Sequence, residues 1–402
     1  MIGRAKESRA NQHRVFIKIV LFFLKVKTIR IYLFLVSTRN VLKAGRQKIM
    51  KRYKELENLS VKERIETFRA EPVTPADELA KKGILQRMEL LCMQIQADVC
   101  ENVEKLEPNG KKFHVDKWSR AEHGGGGVTC VLQDGDVFEK SGIGVSVVHS
   151  KLTPALQNMM RARGHKLSSA SPDGVLPFSV VGVSCVTHPI NPYCPTVHFN
   201  YRYFEVQTAD GIESWFGGGT DLTPSYIIEE DIKHFHQAQK DACDLSGPNV
   251  YAKFKKWCDE YFVVKHRGPN GECRGAGGIF YDDVTGDFNE TGKVDYEAGY
   301  NHQVACSSAI FDAFFPIVAK RMDTPYTDRE KEWQQIRRGR YVEFNLVYDR
   351  GTKFGFNTPG ARIESILMSL PLTARWEYEN NPEEGTPEHK ALMIFQNPIE
   401  WV

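Results

Sequence analysis

At 402 residues, with 41% hydrophobic and 26% charged side chains, the chain has the make-up of a globular protein large enough to bury a full core, and no composition break divides it. Its net charge of +2 conceals a basic first segment, because residues 1–49 hold twelve Lys or Arg against one acid, Glu7, which leaves −9 on the rest. That mildly acidic body lacks the concentrated basic stripe that phosphate tracking needs, so no nucleic-acid partner is expected.

Val15 to Val36 is strongly apolar, but Lys18, Lys25, Lys27 and Arg30 interrupt it. No run approaches the roughly 18 uncharged residues of a spanning helix, so no transmembrane anchor is expected. A segment rich in Arg and Lys and poor in acid suits mitochondrial targeting. Met50, opening MKRYKELENLSVKERIETF, is equally an alternative start, which would make residues 1–49 an artefact of the gene model. Residues 50–70 predict a charged helix and EPVTP at 71–75 a linker, so the expected organisation is an extension at 1–49, helix and linker at 50–74, and one domain over 75–402.

From Ala76 to Leu106 the residues Leu79, Leu85, Met88, Leu91, Ile95 and Val99 recur at helical spacing and predict one amphipathic helix. GIGVSVVH (142–149), PFSVVGVSCVTH (177–188) and TVHFNYRYFEVQ (196–207) are rich in β-branched and aromatic residues and predict neighbouring antiparallel strands. Helical patterns follow at 227–243 and 250–263, a strand at 277–283 and a helix over 295–320. A short helix then precedes an alternating strand over Arg340–Asp349, and a short apolar helix covers Ile363–Leu370. The sum is an α+β arrangement with helices packed on a sheet.

Period-two alternation in 196–207 puts Val197, Phe199, Tyr201 and Tyr203 on one face and His198, Asn200, Arg202 and Phe204 on the other. An acid/base, an amide and a guanidinium in a row suit gripping a carboxylate and moving a proton. In FGGGTDLTPSY (216–226) three glycines let a flat ligand approach the backbone, while the GK[ST] of a phosphate loop is missing. Asp221 there has two readings, an Asx-turn before a helix start or a carboxylate aimed into a pocket. The tetraglycine Gly124–Gly127 is read as a flexible loop.

His188, His198, His236 and His266 form no tight ligand motif, and His234 and His236 lie about 200° apart around a helix, so no metal site is expected. Nine cysteines, with no CxxC pair, argue for reduced, buried thiols. The run Arg337, Arg338 and Arg340 suggests a solvated basic face. Arg350 and Arg362 fall in a glycine-bearing hinge, where Arg362 is the better anchor for an anionic ligand.

GVSCVTHPINPYCPTVHFNYRYFEV, WFGGGTDLTP, HFH, YDRGTKFGF and TPGARIESILMSLPLTARWEY, taken together and in this order, resemble the oxygen-dependent coproporphyrinogen-III oxidases from about Pro72 to Trp401. The resemblance implies a flat, mainly antiparallel sheet sandwiched between helices, and a homodimer formed through roughly residues 341–375. It implies oxidative decarboxylation of two propionates of coproporphyrinogen III to vinyl groups, with O2 as co-substrate and no metal or organic cofactor. An electron-rich porphyrinogen can itself reduce O2, leaving orientation and proton transfer to the protein. By position, His198 matches the family's proton donor and Asp221 a carboxylate facing the pyrrole nitrogens, with Arg202 beside them. Ser184, Asn200, Tyr201, Arg202, Gly360, Ala361 and Arg362 match substrate contacts. His188, His236 and His266 match histidines once offered as metal ligands and stay unassigned. TPGAR is the animal-type spelling, which implies the mitochondrial intermembrane space, with the cytoplasm as alternative. Gly144 stands where an Asn is usual, and the basic N-terminus matches nothing in the family.

Overall fold

The computed structural model describes residue 51 and residues 53–120, 124–169, 174–358 and 360–402. The basic segment at 1–49, and both readings of it, lie outside the described residues.

Seven strands make one antiparallel sheet: β1 (His114–Ser119), β2 (Gly125–Gln133), β3 (Phe138–Lys151), β4 (Pro177–Pro189), β5 (Thr196–Thr208), β6 (Gly211–Thr223) and, after a two-stranded ribbon of β7 (Val263–Val264) and β8 (Glu272–Cys273), β9 (Gly278–Val284). The order β1-β2-β3-β4-β5-β6-β9 is a meander, so each strand pairs with its chain neighbour up to β6. Residues directly opposed in antiparallel strands share a face. Asp116, Thr129, Gly144, Ser184, Asn200, Gly219 and Phe280 therefore form one row across the sheet, with the row of His198 and Asp221 beside it on the same side.

The opposite face carries Ile143, Val145, Val183, Cys185, Phe199 and Tyr201, all buried. The helix Ile84–Leu106 covers it, with Gln96 Nε2 donating to the carbonyls of Val128 and Ile143 at 2.8 and 3.0 Å. The helix Tyr296–Ala313 packs there too, Gln303 Oε1 accepting from the Tyr281 hydroxyl at 3.0 Å. The stretch Tyr296–Arg321 is long and apolar enough to cross a membrane, but 72% of its most apolar window is buried inside the fold. The helices Asp328–Val347, Arg350–Asn357 and Ile363–Leu367 lie toward the His198 face, completing a helix–sheet–helix sandwich.

Several local expectations need correction. Arg340–Asp349 is no strand: the helix Asp328–Val347 runs through most of it, its start closed by Glu330 reaching back to the Thr327 amide at 2.8 Å. The alternation in RGRYVEFNLV is overridden because Trp333, Ile336, Arg337, Tyr341 and Phe344 bury together at helical spacing. Arg337 and Arg338 of the supposed solvated run are buried in ion pairs with Glu272 and Glu139. The expected helix from Ala76 breaks into Ala76–Leu79 and Ile84–Leu106, where Lys82 adopts a left-handed φ of 54° and Gly83 caps the second piece. Residues 350–357 form a helix, not a hinge, with Asp349 capping its first turn. Gly125–Gly127 are strand, not loop, and lie inside β2.

Residues 53–74 pack on the main body. Glu89 accepts from the amides of Val73 and Thr74, both at 2.9 Å, and Arg69 pairs with Glu104.

Candidate active site

His198 on β5 and Asp221 on β6 are ladder partners, directly opposed across the strand pair. Their side chains meet on the same face, with His198 Nδ1 2.6 Å from Asp221 Oδ1. This excludes the Asx-turn reading of Asp221, since the residue is inside a strand and the next helix starts only at Glu229. Arg274 completes the group. Its Nη2 donates to both Asp221 oxygens at 2.9 and 3.0 Å, and its Nε reaches Oδ2 at 3.2 Å. Arg274 Nη1 donates to Asn345 Oδ1 at 2.8 Å, and its guanidinium lies against the rings of Phe262, Tyr341 and Phe344.

Burial alone would raise the Asp221 carboxyl, but Arg274 and then His198 outweigh it and hold the group below the usual carboxylate range. Burial likewise disfavours the charged form of Arg274, and Asp221 overcomes it, so the guanidinium stays charged. With Asp221 ionised, Nδ1 must carry the proton it donates to Oδ1, and the Arg274 nitrogen 3.0 Å from Nδ1 donates to the carboxylate instead. Nε2 is the other ring nitrogen, and it takes no hydrogen bond from the described residues. Asp221 itself, with a side chain 3% exposed and both oxygens engaged, is turned away from any ligand on the open face.

Arg202 lies two positions along the same face. Its strand partners are Gly182 and Gly217, and a Cβ on Gly217 would fall 2.7 Å from Arg202 Nε and 2.6 Å from Asp282 Oδ1. The first glycine of FGGGTD thus gives room for Arg202 to lie down and meet Asp282 at 3.0 Å. Arg163 also pairs with Asp282, at 2.6 Å, and Arg350 stands 3.8 Å from it. Arg202 keeps 31% of its side chain exposed and also donates to Asn200 Oδ1. Ser184, opposite Asn200, lies on the same face.

Tyr201 does not join this face. Its phenol is fully buried on the apolar side, 2.5 Å from Thr220 Oγ1, so only its backbone borders the site.

Gly360, Ala361 and Arg362 sit toward the other end of the same face. Arg362 pairs with Asp116 on β1, four strands from His198, or about 19 Å at ordinary strand spacing. The segment after it lies on the sheet. Ser365 Oγ is 2.8 Å from Thr129 Oγ1, and a Cβ on Gly144 would meet Met368 Cε at 2.8 Å. Gly144 therefore serves close approach of this segment, and no side chain there is available for a role.

The remaining histidines hold structure. His188 lies 3.3 Å from Thr196 Oγ1 and 2.9 Å from the Ser369 carbonyl, and His236 lies 2.8 Å from the Tyr251 hydroxyl and 3.1 Å from the Ala276 carbonyl. Exposed His266 pairs with Glu343. Burial pushes His188 and His236 down to about 3. A histidine depressed in the folded state leaves the fold fully stable above its unfolded value, roughly 6.5, and costs stability as pH falls from there toward its folded value, below which the loss is complete. The two together should cost about 2.7 kcal/mol of stability per pH unit between pH 6 and 4. Denaturant unfolding at a series of pH values measures this, and a flat profile would contradict two neutral buried imidazoles.

Sequence reasoning missed Arg274. The signal was present in ECRGAGG, where one cation sits among glycines. Gly275 allows the loop to press on β6, since a Cβ there would lie 2.4 Å from the Leu222 carbonyl, and this brings Arg274 under the dyad.

A family model described as coproporphyrinogen III oxidase matches residues 87–401. A Drosophila melanogaster protein named oxygen-dependent coproporphyrinogen-III oxidase is 53% identical over 338 residues, covering 83% of each chain. A Homo sapiens relative of the same name, qualified as mitochondrial, is 52% identical over 84% of this chain and 72% of its own. Coproporphyrinogen-III oxidase 1, chloroplastic, of Arabidopsis thaliana is 50% identical over 83% of each.

Proposed function

The chain belongs to the coproporphyrinogen III oxidase family, and we propose that His198 moves the protons of its reaction, held by Asp221, while Arg202 anchors a substrate carboxylate. Its activity is the oxygen-dependent oxidation of coproporphyrinogen III, a step of haem biosynthesis. Each turnover converts one propionate to a vinyl group: the carboxylate leaves as CO2, the side-chain carbon next to the ring loses one hydrogen with its electron pair, and O2 takes up the two electrons with that hydrogen and one proton from solvent as hydrogen peroxide. Two such events give protoporphyrinogen IX.

The observation that carries the residue assignment is the buried Arg274–Asp221–His198 stack, which leaves Nε2 as the proton-exchanging atom on a broad face beside Arg202. Arg202 and Arg362 flank that face from opposite sides, which suits a wide, flat ligand with carboxylates around its rim. The macrocycle supplies the electrons, so no metal or organic cofactor takes part. Purified chain given coproporphyrinogen III and air, with a chelator present, should consume O2 and form the divinyl product. Turnover lost to the chelator while the chain stays folded would instead favour a metal oxygenase.

Arg362→Ala should chiefly weaken substrate binding, by roughly 1.5–3 kcal/mol or about 10- to 150-fold in Kd, since the guanidinium would exchange Asp116 for a propionate. An unchanged Kd would remove that contact.

The protein works as a homodimer formed through residues 341–375 and their surroundings. In support, Leu346, Val347, Phe356, Ile363 and Trp376 each leave 44–52% of their surface exposed, a density of bare apolar side chains that association would bury. Sedimentation at the mass of one chain would refute it. Mitochondrial residence follows the mammalian relatives, whose names carry that qualifier. The intermembrane space is the finer assignment, tested by fractionation.

A further inference from the structure

On the apolar side of the sheet, away from His198, three buried side chains bring soft donor atoms together. Cys243 ends the helix Glu229–Cys243, and His302 and Cys306 stand one turn apart on the helix Tyr296–Ala313. One ligand atom from each lies within 4.8 Å of the other two, and His302 Nε2 is 3.4 Å from Cys306 Sγ. Bonds of about 2.3 Å to sulfur and 2.0–2.1 Å to nitrogen around one tetrahedral ion require a nitrogen–sulfur separation of roughly 3.5 Å. The His302–Cys306 pair therefore already stands near coordination distance, with Cys243 close enough to close on the same ion.

We propose that Cys243, His302 and Cys306 form a three-residue binding site for a thiophilic divalent cation of the zinc class, a solvent molecule filling the fourth tetrahedral position, and that the site braces the fold and is separate from the reaction. Three further features support it. The Ser246 hydroxyl is 2.8 Å from His302 Nδ1 and can accept its proton, which turns the Nε2 lone pair toward the sulfurs, the usual orienting contact behind a metal-bound histidine. Phe254, Tyr281 and Phe288 surround the imidazole at ring-centroid distances of 4.8–5.5 Å and hold its orientation. A cleft of about 450 Å³ reaches both Ser246 and Phe288, giving an approach from solvent.

Charge selects the ion. Two thiolates and a neutral imidazole balance a divalent cation to zero, so burial carries no net charge, whereas thiolate donors discriminate against Mg2+ and Ca2+. Binding forms two metal–sulfur bonds and one metal–nitrogen bond and releases the two thiol protons to solvent, with no oxidation or reduction. The ion would tie the end of one helix to the middle of another under Tyr281, and through it brace the sheet.

The test titrates the full, reduced chain with Co(II) and then Zn(II). Expected are one Co(II) per chain with thiolate charge-transfer absorption, displacement by Zn(II), and loss of both in Cys306→Ser. Ser246→Ala, a half-buried change that spares all three donors, should weaken Zn(II) binding about 10- to 100-fold while leaving coproporphyrinogen oxidation unchanged. If Cys306→Ser does not fold, the Ser246→Ala affinity decides. No stoichiometric binding by the folded chain overturns the proposal, as does binding that survives Cys306→Ser. A mass two hydrogens low, mapped to a Cys243–Cys306 disulfide in the native protein, overturns it as well.

Discussion

Asp221→Asn is expected to lower kcat by about 10²- to 10⁴-fold while changing substrate affinity little. The carboxylate fixes the proton on His198 Nδ1 and favours the imidazolium that forms when Nε2 takes a proton. An amide keeps the shape but not the charge, and its NH2 group faces the Arg274 donors or displaces the Nδ1 contact. Losing a positioned acid/base of this kind costs such factors in general, and the wrong imidazole tautomer alone accounts for the upper end. Because the residue is buried behind His198, the binding of substrate carboxylates by Arg202 should persist. The measurement is a split between kcat and Kd, together with the pH profile of kcat. A variant with kcat within about threefold of the parent, or with binding and turnover reduced in equal measure, would remove His198 orientation as the role of Asp221.

Arg274→Met should destabilise the fold by about 3–5 kcal/mol, because it leaves the Asp221 carboxylate buried without its main partner. Asp221 would then rise toward protonation, and the variant should be inactive at neutral pH. Stability and activity separate in the pair Arg274→Met/Asp221→Val. Replacing both charges with apolar groups of similar volume is often neutral for folding, so most of the lost stability should return while turnover stays absent. Denaturant unfolding of the single and double variants checks this. A double variant as unstable as Arg274→Met would show that the arginine matters through its packing on Phe262, Tyr341 and Phe344 instead.

The central strands were legible because their alternation is strict: Val197, Phe199, Tyr201 and Tyr203 are all buried on one face, as period two requires, and the polar set faces the other way. That same alternation misled at Arg340–Asp349. A basic, glycine-containing stretch buries its arginines only when tertiary partners such as Glu272 and Glu139 are supplied from distant segments, and nothing local announces them. The site was half legible. His198, Asn200 and Arg202 lie in one strand and could be read from it, whereas the contact of His198 with Asp221 depends on register between strands, and Arg274 arrives from 53 residues beyond Asp221. Tyr201 shows the limit of adjacency, since a neighbour in sequence stands on the other side of the sheet.

The direct opposition of His198 and Asp221 across β5 and β6 carries a further consequence for how this molecule divides its labour. The dyad is fixed by ladder register, in the middle of a sheet paired on both sides, so its geometry is as rigid as the scaffold. Beside the longer helix Asp328–Val347, the cover over this face is built differently, from the short helices Arg350–Asn357 and Ile363–Leu367 and from Met368, which rests on Gly142 and Gly144. The expectation is that entry of substrate and exit of product deform the cover while the His198–Asp221 pair stays in place. Substitutions in the cover should alter KM and the rate of release, and the acid and alkaline limbs of the rate profile should remain those of the sheet.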